Sequence, residues 1–145
     1  MTGIAFHGVT IMKPFEIAFL AAASLAFADQ SLGDGDAANG EKLFNGFLKC
    51  GGCHSLEPNV TKVGPSLAGI FGQRAGTVEG FDRYSEAMID SGVIWNEESL
   101  DAFLKAPKKF IPGNSMLMAS YYDFEVGSAQ HRADVIAYLK THSNQ

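Results

Sequence analysis

The sequence predicts an all-α domain of four to five short helices joined by long loops. Apolar residues recur at helical spacing in separate stretches. No alternating strand series, internal repeat or low-complexity tract lies between them, and the glycine- and proline-rich connections are too apolar for solvated spacers. With 145 residues the chain is one ordinary domain plus a little, and its 46% hydrophobic content excludes intrinsic disorder. The net charge of −5 is scattered, and no basic patch is dense enough for a nucleic-acid partner.

The first helix is expected over about 37–49, capped by Asp36, with Leu43, Phe44, Phe47 and Leu48 on one face. From Gly51 to Gly80 an ordered loop follows, holding Val63, Leu67, Ile70 and Phe71. Ser85 caps a short helix through Met88 and Ile89 that ends at Gly92. Asn96 precedes another over Glu97 to Ala106, with acidic residues in its first turn and Leu100, Phe103 and Leu104 as its buried stripe. Pro107 stops that helix. The chain is irregular from Phe110 to Gly127, and Ser128 opens a last helix with Val135, Ile136 and Leu139 facing inward.

Residues 1–28 read as a Sec-type export signal. Lys13 supplies positive charge, Phe15 to Phe27 is apolar apart from Glu16 and Ser24, and Ala26-Phe27-Ala28 fits a cleavage site with Asp29 as the mature N-terminus. Met12 opens a more typical signal than Met1 does. The stretch is short for a membrane-spanning helix, which needs about 20 apolar residues; an uncleaved anchor is the alternative. The expectation is periplasmic export, no stable membrane insertion after cleavage, and one mature domain over 29–145.

Loops longer than about 12–15 residues are uncommon in a compact domain unless something orders them. A large, flat, apolar cofactor would do so. The only cysteines are Cys50 and Cys53, which leaves a local disulfide, a redox-active dithiol or cofactor attachment; a four-ligand zinc site is poorly supported. Cys50-Gly51-Gly52-Cys53-His54 is the C-x-x-C-H signature of c-type haem attachment. Two thiols a helical turn apart can each add to a haem vinyl group, and the next histidine can then bind iron. Gly51 and Gly52 keep side chains away from the ring. A thioredoxin-like dithiol would need a βαβ framework, and no strand pattern flanks the motif.

For the other face of iron, His7, His131 and His142 lie in unsuitable places, whereas Met116 follows the turn Pro112-Gly113 in a loop able to close over the ring. Here the chain resembles the class I cytochromes c, mitochondrial and bacterial periplasmic, from about Gly33 to Lys140. The resemblance rests on the Cys50–His54 motif, Val63-Gly64-Pro65-Ser66-Leu67, Val93-Ile94-Trp95, Ile111-Pro112-Gly113 with Met116, and Arg132 to Leu139. It implies the cytochrome c fold around one covalent haem c, with iron held between His54 and Met116; Met118 is the alternative sulfur and is read as core.

The resemblance further implies that the Pro65 carbonyl accepts from the His54 ring, that Trp95 and Tyr84 serve haem propionates, and that Phe103 stands where many relatives carry tyrosine near the sulfur. The segment Gly80-Phe81-Asp82-Arg83-Tyr84 is one residue longer than the family's, and Gln73 replaces its usual arginine, so Arg74 or Arg83 is expected to compensate. Gly40 and Phe44 should meet the last helix near Val135 and Tyr138. With both axial places filled, the expected role is a monomeric one-electron carrier, not an enzyme, docking weakly on donor and acceptor complexes. Lys105, Lys108 and Lys109 would give the docking face positive charge. The rivals are a haem with an open site for a gas or peroxide, and a dithiol exchange enzyme.

Overall fold

The computed structural model describes residues 3, 33–46, 50–116 and 126–143. Met12, His7, Met118, Phe47, Leu48 and the whole signal segment apart from Gly3 lie outside them. The described helices are α1 (Ala37–Asn45), α2 (Cys50–Cys53), α3 (Glu86–Asp90), α4 (Glu97–Lys105), α5 (Pro107–Phe110) and α6 (Ala129–Lys140). None of them is long and apolar enough to cross a membrane.

The caps that the sequence announces are formed. The Asp36 carboxylate accepts from the N–H groups of Ala38 and Asn39, and the hydroxyls of Ser85 and Ser128 accept from Met88 and His131. Asn96 and Ser99 form a reciprocal capping box at α4. Gly92, at φ +65°, turns the chain after α3. Two boundaries differ from expectation. α1 ends at Asn45, with Gly46 at its C-cap in a non-helical conformation. Pro107 does more than stop α4: it is the first residue of α5, where a missing N–H costs nothing and a fixed φ favours a new turn.

The frame is the crossing of α1 over α6, made possible by glycine. A Cβ on Gly40 would lie 2.0 Å from the Asp134 carbonyl oxygen and 2.8 Å from Tyr138 Cβ, so only glycine allows this approach. Phe44 packs edge-on to Tyr138 with ring centroids 5.6 Å apart. Asp134 joins the same crossing: its carboxylate accepts from the Asp36 N–H at 2.8 Å, from Asn39 at 2.6 Å and from Gln130 at 2.8 Å. Burial alone would push this carboxyl up, but those hydrogen bonds, with the nearby His131, hold it below the usual carboxylate range.

On its other side α6 meets α4. Arg132, only 5% exposed, donates to Asp101 at 2.5 Å and to the Val126 carbonyl at 2.7 Å. A surface pair between Lys140 and Glu97 lies at the same contact. Flanked on two sides, α6 buries residues 132–136 as well as Leu139, more than the single inward stripe that periodicity suggests. Among the described residues the β structure is one isolated bridge, Arg74 with Ile94, where 72–75 runs beside 93–95. The fold is all-α.

Candidate cofactor site

The core encloses a cavity of about 390 Å³, a volume suited to a sizeable ligand. Its lining is mainly apolar, with Phe44, Leu67, Ile70, Trp95, Phe103 and Leu139 among its walls, and Cys50, Cys53, His54 and Met116 open onto it as well. Residues far apart in sequence thus converge on one space, and the long loops pack around it.

α2 is a single turn whose first and last residues are the two cysteines. Neither is in a disulfide. Burial pushes the Cys50 thiol up to about 11, with the neighbouring Cys53 adding to the effect and a backbone hydrogen bond opposing it. A dithiol exchange enzyme needs the opposite, a thiolate near neutral pH. Gly51 also meets α1: a Cβ there would lie 2.7 Å from Asn45 Oδ1 and 3.2 Å from Phe44 Cε1, so its bareness seats α2 against α1. Space beside Gly52 is open.

His54 continues the turn, its N–H donating to the Cys50 carbonyl at 2.9 Å. Its Nδ1 lies 2.8 Å from the Pro65 carbonyl oxygen. That oxygen can only accept, so the ring carries its proton on Nδ1 and leaves Nε2 with a lone pair. Burial pulls the imidazole below its ordinary pKa, the Pro65 bond opposes this, and the Lys62 charge adds to it. The ring is therefore neutral at pH 7, the form that binds metals.

Sequence reasoning missed what stands behind this ring. A Cβ on Gly64 would lie 2.4 Å from His54 Cε1 and 2.7 Å from Nδ1, so the backbone touches the imidazole only because residue 64 is bare. The Gly64 N–H donates to the Cys53 carbonyl at 2.8 Å, and Lys62 Nζ donates to the Gly51 carbonyl at 2.6 Å. Together these bonds tie the Lys62–Pro65 loop to α2.

Trp95, 6% exposed, stands edge-on to Phe103 at 5.2 Å, and Phe103 in turn to Phe110 at 6.4 Å. Half-buried Tyr84 packs on Phe81 at 4.8 Å; burial raises its phenol pKa, with a Val78 backbone bond pulling the other way. Arg74 and Arg83 line the cavity and Gln73 does not, its backbone being engaged with Trp95, whose N–H donates to the Gln73 carbonyl at 2.9 Å. Arg83 lies over the Phe81 ring at 5.1 Å and donates to the Lys62 carbonyl at 2.5 Å. His131 and His142 are not on the cavity wall.

The donor set fits a haem: two thiols one turn apart, a neutral tethered imidazole beside them, and an apolar slot. Among the described residues no cluster of three or more His, Cys, Asp or Glu gathers to hold a bare ion. Fold and site together define a c-type haem protein.

Comparison with known proteins agrees. The cytochrome c family model matches residues 37–143. A cytochrome c2 from Blastochloris viridis is 42% identical over 123 residues, covering 84% of this chain and 87% of the relative. A cytochrome c from Euglena viridis is 41% identical over 107 residues, covering 74% and 97%. The solved structure of cytochrome cH from Methylobacterium extorquens superposes with a TM-score of 0.64 at 38% identity, covering 74% of this chain and 99% of that one. The chain belongs to the cytochrome c family: it carries one covalently attached haem c with its iron, and it is an electron carrier.

Proposed function

We propose that the chain is exported by its N-terminal signal, cut after Ala28, and works in the periplasm as a monomer that shuttles single electrons between a donor and an acceptor complex. Cys50 and Cys53 form the thioethers, and His54 and Met116 are the axial ligands. The observation that carries this reading is the half-buried His54 ring, tied through Nδ1 to the Pro65 carbonyl at 2.8 Å on a cavity that Met116 also lines. When bound, the haem supplies a one-electron ferrous–ferric couple.

The chain's own residues decide how that couple is used. Iron held by both His54 and Met116 would offer a substrate no place, which disfavours catalysis there. The Met116 sulfur as a ligand would raise the potential relative to a second nitrogen ligand. The Pro65 hydrogen bond fixes the His54 tautomer and makes Nε2 a stronger donor. Trp95, Phe103, Leu100 and Leu139 keep water from the ring, while Tyr84, Trp95, Arg74 and Arg83 offer polar groups to its carboxylates. Exposed Lys105, Lys108 and Lys109, at the end of α4 and on α5, precede the Met116 loop and give the docking face local positive charge.

Carbon monoxide tests this against an open-site haem protein. The native ferrous form should bind it slowly or not at all, and Met116→Ala should bind it at once. Rapid binding by the unaltered protein would overturn the axial assignment. Exchanging the three lysines for glutamate should reduce the ionic-strength dependence of electron transfer to an acidic partner; an unchanged dependence removes the docking role.

A further inference from the structure

Asn114 is an unexpected residue to bury. It is 7% exposed, and its amide carries two N–H donors and an acceptor that all need partners once water is excluded. Each has one. Nδ2 donates to the Pro107 carbonyl at 3.0 Å and to the Ile111 carbonyl at 2.8 Å, and Oδ1 accepts from the Met116 N–H at 3.2 Å. The Asn114 backbone N–H also donates to the Ile111 carbonyl, at 3.2 Å. Pro107 opens α5 and Ile111 is its C-cap, so this one side chain fastens the backbone of residue 116 to both ends of α5. Gly113, at φ +87°, supplies the turn that brings Asn114 inward. Ser115 and Met116 line the cavity and Asn114 does not, so its action passes through the Met116 backbone and not through contact with the cofactor.

The position of this fastening matters. It lies two residues from Met116, and so short a tether leaves the backbone there little freedom. We propose that Asn114 is the positioning residue for Met116, setting the fraction of time its sulfur is withdrawn from iron. This rests on the reading of Met116 as the axial ligand.

The test uses ferric holoprotein and imidazole, which can take the sixth position only while the sulfur is away. Its apparent affinity therefore scales with the open fraction. Breaking this buried network should raise that fraction, and Asn114→Ala is expected to bind imidazole on the order of 10- to 100-fold more tightly. Asn114→Asp keeps the acceptor for the Met116 N–H but, ionised, cannot donate to Pro107 and Ile111; it should bind more tightly too. The unaltered protein supplies a readout independent of any variant: exchange of the Met116 amide hydrogen should accelerate when imidazole is bound. Affinities within twofold of the unaltered protein in both folded variants, or a Met116 amide equally protected with and without imidazole, would overturn the proposal. Absence of the near-infrared sulfur-to-iron band from the unaltered ferric protein would overturn the ligand assignment and the proposal together. The band's presence with unchanged affinities removes the proposal alone.

Discussion

Substituting Gly64 by alanine puts a methyl group in place of a hydrogen at a confined point behind His54. The new Cβ would lie 2.4 Å from Cε1, 2.7 Å from Nδ1 and 2.9 Å from Nε2, where real Cβ atoms essentially never come within 3.0 Å. The ring or the loop must therefore give way by about 0.6 Å or more. The loop is poorly placed to move, because Gly64 donates to Cys53 and accepts from the Lys62 N–H at 3.0 Å. The ring moves instead, and the 2.8 Å bond from Nδ1 to Pro65 is strained or lost. Losing it costs about 1 kcal/mol, and overpacking adds roughly 1–3 kcal/mol. The unfolding free energy of the holoprotein should fall by about 2–4 kcal/mol, read by guanidinium titration against haem absorbance. A histidine without that acceptor is a weaker donor and stabilises ferric iron less. If about 1 kcal/mol of the loss falls on the ferric form, the potential rises by about 40 mV in a potentiometric titration. An unchanged midpoint and an unchanged potential would refute the reasoning that Pro65 and Gly64 hold this ring.

Other perturbations have equally definite outcomes. Gly40→Ala should force α1 and α6 apart by about 1 Å, since its Cβ would meet the Asp134 oxygen at 2.0 Å, and should cost about 3 kcal/mol; an unchanged melting temperature would contradict the close crossing. Asp134 has a depressed pKa in the folded protein, so its contribution is full above the unfolded carboxyl pKa of about 4 and is lost as pH falls through the lower folded value. Asp134→Asn should accordingly flatten the acid limb of stability against pH, and an identical acid limb in both proteins would count against it. Arg83→Ala should lower stability by no more than about 1 kcal/mol, because the side chain is exposed, yet should speed amide exchange at Lys62 and Gly64. Unaltered exchange there would show that Arg83 does not brace the loop.

The chemistry of this protein is legible where it is local in sequence. Cys50, Cys53 and His54 announce themselves by spacing, and the Asp36, Ser85, Asn96 and Ser128 caps by residue type. Contacts between distant segments are harder to read. Nothing in the local pattern around Gly64 says that an imidazole ten positions back lies against it, nor does Gly51 reveal that Phe44 and Asn45 fill its space. Pro107 reads as a stop because its ring blocks a preceding helical residue, while its equal fitness for a first turn shows only once α5 exists. The place of Gln73 follows from register: pairing of the Gln73 and Trp95 backbones leaves Arg74, one residue on, at the cavity wall, which Arg83 also reaches. Asn114 looks like an ordinary turn residue until its burial shows that all its polar atoms are in use.

The proposed electron transfer depends on an iron held between His54 and Met116. A proton spectrum of the ferrous holoprotein tests this most directly, because a methionine methyl bonded over the porphyrin face is shielded by the ring current. The expected result is a single three-proton resonance far upfield of all others, absent from Met116→Leu. A ferrous spectrum without that resonance, or one in which Met116→Leu retains it, would contradict the account.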